Sequence, residues 1–199
     1  PMPETAENVA VEYKIEREAQ DRMALASQLK AVAAQKSGYF DREITPVTLP
    51  QKKGEAIVVS RDEHPRETSL EALAKLKPIV RPDGTVTAGN ASGINDGSCA
   101  LLLADEASAA KHGLTPRARI VGMATAGLAP RVMGLGPAPA TQTVLALPRL
   151  QPAHVDVTQL HDALPAPCHA SLRPLGPNDA HPRCNPTRPA PRLAPPPAP

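Results

Sequence analysis

The sequence predicts an α/β fold followed by a proline-rich tail, and three observations carry that expectation. Short apolar runs alternate with helical patterns between residues 99 and 160, the order that builds mixed helix and sheet layers. An amphipathic stripe over residues 16–37 supplies one long helix. Of the 25 prolines, 14 fall in residues 145–199, where they remove backbone donors and interrupt helices and central strands.

Taken in chain order, residues 4–13 predict a first helix. The second is the clearest: Ile15, Ala19, Met23, Ala26, Leu29 and Ala33 recur at spacings of four and three, and Gly38 follows as a stop. That spacing predicts one unbroken helix over 16–37 with its Ala19, Met23, Ala26 and Ala33 face buried. Short strands are expected at 43–47 and 56–60, a helix at 69–76 and a turn at Asp83-Gly84. Residues 99–103 and 118–124 read as buried strands, separated by a helix near 106–112 that ends at Gly113. Residues 139–147 predict a helix and 155–160 a strand. Beyond about 165, twelve prolines in 35 residues predict chain without stable secondary structure.

Charge is nearly balanced, with 22 basic and 20 acidic residues and a net of +2. This gives no case for nucleic acid or an anionic membrane as partner. No apolar run approaches the ~18 residues needed to span a bilayer. Three widely spaced cysteines favour a reducing compartment, hence a cytoplasmic protein, over a disulfide scaffold. No secretory leader is expected from the opening residues, and the start at Pro1 without an initiator methionine predicts a fragment.

The strongest chemical signal is Thr87-Ala-Gly-Asn-Ala-Ser-Gly-Ile-Asn-Asp-Gly97, with three glycines at four-residue spacing among small polar side chains. Glycines allow close approach of a ligand to the backbone, and the small neighbours leave room for a slender group. It is not a phosphate loop, because no Lys-Ser or Lys-Thr follows and the G-x-G-x-x-G spacing is absent. A tight connection between two elements explains the residues equally well.

Extended by two residues, Thr85-Val-Thr-Ala-Gly-Asn-Ala-Ser-Gly-Ile-Asn-Asp-Gly97 resembles a sequence signature of thiolases, the acyl-CoA acyltransferases. Other blocks agree in the same order. They are Met2-Pro-Glu-Thr-Ala-Glu-Asn8, Arg61-Asp-Glu-His-Pro-Arg66 with Leu70-Glu-Ala-Leu-Ala-Lys-Leu-Lys-Pro78, Gly122-Met-Ala-Thr-Ala-Gly127 and Met133-Gly-Leu-Gly-Pro-Ala-Pro-Ala140. The Arg61 and Met133 blocks are most similar to the 3-oxoadipyl-CoA branch. The resemblance implies a partial thiolase-like fold. Residues 1–95 would be the coenzyme A-binding lid, 96–164 the end of the N-terminal half with the start of the C-terminal half, and 165–199 a degenerate tail. It also implies that Ser92 meets the pantetheine arm of coenzyme A, that Ala88 and Gly89 are its close-packed neighbours, and that Met2 packs beside the thioester. Coenzyme A and acyl-CoA are then substrates, no separate cofactor is needed, and the complete enzyme is expected to be a homo-oligomer.

Thiolase chemistry is acyl transfer through a cysteine thiolate, with a second cysteine and a histidine handling protons. By the same resemblance the nucleophile lies before this segment, and Cys99 stands where the family has a small strand residue, so a buried, unreactive thiol is expected there. Downstream the agreement decays. Val155-Asp-Val-Thr-Gln-Leu-His-Asp-Ala-Leu164 still resembles the strand leading to Asn-Glu-Ala-Phe, but His161 replaces the asparagine that organises an oxyanion-stabilising water. Asn185-Pro186 resembles the opening of the family's catalytic-histidine motif, yet Pro195 occupies the histidine position and Arg188 and Pro189 replace its glycines. Such intermittent agreement resembles damaged coding.

Cys168, His169, His181 and Cys184 offer four possible zinc ligands, but adjacent Cys168-His169 do not suit one tetrahedral ion and no metal site is expected. His64 and His112 read as a lid-loop and a surface-helix histidine. Two other function classes compete with a partial enzyme. One is a non-catalytic coenzyme A-binding module. The other is an interaction protein whose tail, with P-x-x-P spacing at Pro174 to Pro177 and Pro186 to Pro189, engages aromatic-lined grooves.

Overall fold

The computed structural model describes residues 1–93, 95–161, 164–176 and 184 of the 199. Helix α1 spans Met2–Glu12, with Pro3 in its first turn, where a missing N–H costs nothing. Its Ala6, Val9 and Ala10 face inward. Lys14 follows in the left-handed region at φ 51°, and the Ile15 amide returns to the Ala10 carbonyl at 2.8 Å, closing the helix as a Schellman motif does.

Helix α2 spans Arg17–Lys36 and runs unbroken through Ser27. Gly38 at φ 70° ends it, with Tyr39 N donating to Ala34 O at 3.0 Å and Gly38 N to Gln35 O at 3.1 Å. The burial expected of its apolar stripe needs correction. Ala19, Met23 and Ala26 are only half-buried, Leu29 and Ala33 are exposed, and the fully buried positions are Gln20, Asp21 and Ala34. Helix α2 turns its polar Gln20-Asp21 edge inward because a polar loop, described below, lies against it.

Strands β1 (Val47–Leu49) and β2 (Ile57–Val59) form an antiparallel hairpin pairing Val47 with Val59 and Leu49 with Ile57. The first strand therefore starts at Val47 rather than spanning 43–47. Glu43 and Ile44 amides both return to Phe40 O at 2.9 Å, so the chain is still turning there. Helix α3 (Leu70–Ala74) is capped by Ser69, whose hydroxyl accepts from Ala72 N. Helix α4 (Glu106–Lys111) is capped by Asp105 and terminated at Gly113. Helix α5 covers Pro137–Ala146, preceded by a 3₁₀ helix at Pro130–Leu135.

Residues 99–103 and 118–124 form no strand in the structure. Leu101, Leu102, Leu103, Ile120, Val121 and Met123 are all exposed. A strand exists only through its neighbour's ladder, and among the described residues the one sheet is the β1–β2 hairpin. Among the described residues, 155–160 likewise form one isolated parallel bridge, from Thr158 to Cys184.

The tail needs correction as well. Helix α6 spans Pro165–Leu172, inside the stretch expected to lack structure, and buries Ala166, Pro167, Cys168, Ala170, Ser171 and Leu172. Pro165 and Pro167 fall in its first turn, where backbone N–H groups have no intrahelical partner, so proline starts this helix instead of breaking it. Gly134 makes room for it, since a Cβ there would meet Pro167 at 2.8 Å. Val9, Ala10 and Ile15 pack with Val132, Leu135, Ala166 and Ala170 in one core. A second links Ala6, Val86 and Leu164, and a third joins Cys168, Leu172 and Cys184 to Met23 and Leu160.

Candidate functional site

The first part of the Gly-rich segment, Thr85 to Asn90, is held by two buried carboxylates. Glu7, on α1, is 1% exposed. Its Oε1 accepts from Thr85 N and from Val86 N, each at 2.8 Å, and its Oε2 accepts from the Thr85 hydroxyl at 3.1 Å. Gln20 Nε2 donates to that hydroxyl at 2.9 Å, so Thr85 receives one hydrogen bond and gives another. Gly84 completes this corner, because a Cβ there would sit 2.4 Å from Glu7 Oε1.

Asn90 governs the turn that follows. Its Oδ1 accepts from Thr87 N at 2.8 Å, and its Nδ2 donates to Thr85 O at 3.0 Å and to Asp21 Oδ1 at 2.9 Å. Asp21 is buried and ion-paired with Arg17 at 2.7 Å. Arg17 also donates to the Leu73 and Leu76 carbonyls at 2.7 and 3.1 Å. One cation thus ties α2 to the end of α3. Gly89 passes so close beneath α3 that a Cβ would meet Leu73 Cδ2 and Leu76 Cδ1 at 2.5 Å.

Between this loop, α2 and α6 lies a cavity of about 410 Å³. Gly89, Asn90, Ala91 and Ser92 form its loop wall, while Met23, Cys168, Leu172 and Cys184 form an apolar wall. Lys30, Gln28 and His64 supply polar groups, and Lys30 Nζ donates to Cys184 O at 3.3 Å. The His64 segment is strapped to α2: Arg66 N donates to Gln28 Oε1 at 2.8 Å and Gln35 Nε2 to Asp62 O at 2.7 Å. His64 stands over Gly93, where a Cβ would meet its ring at 2.7 Å.

Of the residues singled out from sequence for coenzyme A or catalysis, Ser92, Gly89 and His161 share this cavity, with Ser92 and His161 exposed at it, and His64, Cys168 and Cys184 line it as well. Ala88 is exposed on the loop and does not line the cavity, and Met2 is 37% exposed at the start of α1, also away from it. Pro195, Asn185 and His181 lie outside the described residues. Cys99 is exposed, contrary to the buried position expected, because no sheet among the described residues takes up 99–103. Cys168 and His169 sit on α6 rather than in unstructured chain. No group of three or more metal-ligating side chains occurs among the described residues, and no helix among them is long and apolar enough to cross a membrane. Sequence reasoning missed Glu7, Asp21 and Asn90. The available signal was their spacing: Glu7 lies between Ala6 and Val9, and Asp21 between Ala19 and Met23, so each carboxylate falls beside an inward stripe.

Comparison with known proteins gives the family and the fold. Residues 1–107 match the thiolase N-terminal domain and residues 114–184 the thiolase C-terminal domain. The chain is 55% identical over 186 residues to the beta-ketoadipyl-CoA thiolase of Pseudomonas putida, covering 93% of this chain and 46% of that protein. It is 54% identical, with the same coverage, to the 3-oxoadipyl-CoA/3-oxo-5,6-dehydrosuberyl-CoA thiolase of Escherichia coli K12. The chain therefore spans about half the length of the curated relatives it matches. The Bacillus anthracis acetyl-CoA acetyltransferase superposes with a TM-score of 0.86 at 44% identity, over 94% of this chain and 47% of that one. Human mitochondrial 3-ketoacyl-CoA thiolase, solved in complex with CoA, gives a TM-score of 0.83 at 40% identity, over 94% and 46% of the two chains. The architecture is a partial thiolase fold, and the chain belongs to the thiolase family.

Proposed function

We propose that this chain is the coenzyme A-docking part of an acyl-CoA C-acyltransferase that cleaves a 3-oxoacyl-CoA, either 3-oxoadipyl-CoA or acetoacetyl-CoA, with coenzyme A. The observation that carries the reading is the cavity wall of Gly89, Asn90, Ala91 and Ser92. These small residues present backbone and one hydroxyl to a cavity of about 410 Å³, a wall that suits a slender chain such as a pantetheine arm. The apolar wall opposite suits its methylene and thioester portion, and Lys30 and His64 offer donors for amide or phosphate oxygens. In the complete enzyme, a homo-oligomer of the cytoplasm in this reading, the acyl group would pass through a cysteine thioester.

We further propose that these 199 residues carry no turnover by themselves. Cys99 lies outside the cavity, and Cys168 and Cys184 are packed into the apolar cluster with Leu172. His161 and Pro195 stand where the family motif has its asparagine and histidine, and residues that work as one catalytic unit leave little partial activity when several are absent. The test is thiolytic cleavage of acetoacetyl-CoA and 3-oxoadipyl-CoA alongside calorimetric titration of coenzyme A. Weak coenzyme A binding, reduced several-fold by Ser92→Ala, with turnover equal to a heat-killed control, is the expected outcome. Turnover well above that control, abolished by Cys99→Ala, overturns the inactivity proposal. Absence of coenzyme A binding to the folded chain overturns the docking reading.

A further inference from the structure

The loop that forms the cavity wall owes its path to two carboxylates that do not line the cavity. Glu7 fixes its entry through the Thr85 and Val86 amides, and Asp21 fixes its exit through Asn90. Asn90, the second of those anchor points, also closes the turn, its Oδ1 accepting from Thr87 N and its Nδ2 donating to Thr85 O. Ser92 follows two residues beyond the second anchor. The anchors belong to different helices, Glu7 to α1 and Asp21 to α2, so the loop is held from two directions.

Burial of two carboxylates is a poor route to stability, since apolar side chains of similar volume often stabilise as well or better. What such groups provide is a fixed backbone. A glycine-rich loop left free would have to be ordered by its ligand, and each residue ordered on binding weakens affinity roughly tenfold. From this geometry we infer that Glu7 and Asp21 are positioning residues for coenzyme A, acting through Thr85, Val86 and Asn90 to hold Gly89 and Asn90, and with them the direction in which the chain leaves toward Ser92, in the binding conformation. The inference rests on the coenzyme A reading of the cavity given above.

The experiment uses the purified 199-residue chain, with coenzyme A as probe. Affinity is measured by calorimetry at a temperature where circular dichroism shows each variant folded. Glu7→Gln replaces charge-assisted acceptors of two amides with neutral ones and is expected to weaken binding roughly tenfold. Asn90→Asp sets a second carboxylate against Asp21 and is expected to weaken it at least thirtyfold, by order of magnitude. Asp21→Asn added to Asn90→Asp exchanges donor and acceptor across the pair and recovers about tenfold of that loss. A purely structural role lowers the melting temperature but leaves the affinity of the folded protein unchanged. Should Asn90→Asp not fold, amide exchange in the unsubstituted chain decides. By reciprocity, saturating coenzyme A must slow exchange at Thr85, Val86 and Thr87 N–H if the anchors are coupled to the ligand. Folded variants with unchanged affinity, or exchange at those amides indifferent to coenzyme A, overturn the inference alone. An unsubstituted chain that does not bind coenzyme A overturns the docking reading and this inference with it.

Discussion

Gly84 and Gly97 make a controlled pair at the residue scale. A Cβ at Gly84 would lie 2.4 Å from Glu7 Oε1 and 3.1 Å from the Arg81 carbonyl, whereas at Gly97 nothing lies within 4 Å. The Glu7 carboxylate cannot swing aside cheaply, because it holds the Thr85 and Val86 amides. Gly84→Ala therefore displaces a buried acceptor and is expected to cost about 2 kcal/mol, while Gly97→Ala stays within about 0.5 kcal/mol, by urea denaturation. Gly89→Ala falls between them, because the atoms it meets are the methyl tips of Leu73 and Leu76, which can rotate. None of these differences is visible in the sequence. Three glycines at regular spacing mark a tight loop, but the glycine that faces a pinned carboxylate is Gly84, outside that spacing, and its contact depends on α1 arriving from 77 residues upstream.

Helix ends were the most legible elements, and their chemistry gives two predictions. Gly38 and Gly113 end α2 and α4 in left-handed conformation as their positions imply, whereas α1 makes the same turn with Lys14 at φ 51°. A side chain there is strained relative to glycine. Lys14→Gly is expected to raise stability by roughly 0.5 kcal/mol after the added unfolded-state entropy is subtracted, visible as a higher denaturation midpoint at unchanged slope. At α4, the Asp105 carboxylate is held below an aspartate's ordinary value, first by the Ser108 backbone amide it accepts from and then by the Ser108 side chain. A lowered folded-state value means that the cap's contribution is complete above the unfolded-state value of about 4 and is lost as pH falls through the folded-state value. Carbon chemical shifts of Ala109 and Ala110 should report fraying of α4 below about pH 4, and Asp105→Asn should remove that pH dependence. Proline misleads at this scale when counted without position. Pro165 and Pro167 sit in the first turn of α6, where the same residue that breaks a helix interior begins a helix.

At the scale of the whole molecule, the described residues contain a helical body with apolar segments left outside it. The runs 99–103 and 118–124 are near-continuous apolar sequence, the pattern of strands covered on both faces, and for that reason the sequence predicts buried strands. Burial of such strands is a property of the sheet around them, and no such sheet exists among the described residues. Leu101 and Leu102 are 83% and 80% exposed and Met123 is 78% exposed. Apolar surface of this kind drives association between molecules. The isolated chain is therefore expected to associate as concentration rises, with retention volumes in size-exclusion chromatography falling from micromolar to tens of micromolar protein. It should also bind anilinonaphthalene sulfonate strongly. Leu102→Glu together with Val121→Glu should suppress both effects while leaving the helical circular dichroism unchanged, because neither side chain belongs to the clusters around α1, α2 and α6. Loss of helical signal in that double variant would mean that these segments contribute to the core after all. A monomeric chain at high concentration would mean that their apolar side chains are covered in solution.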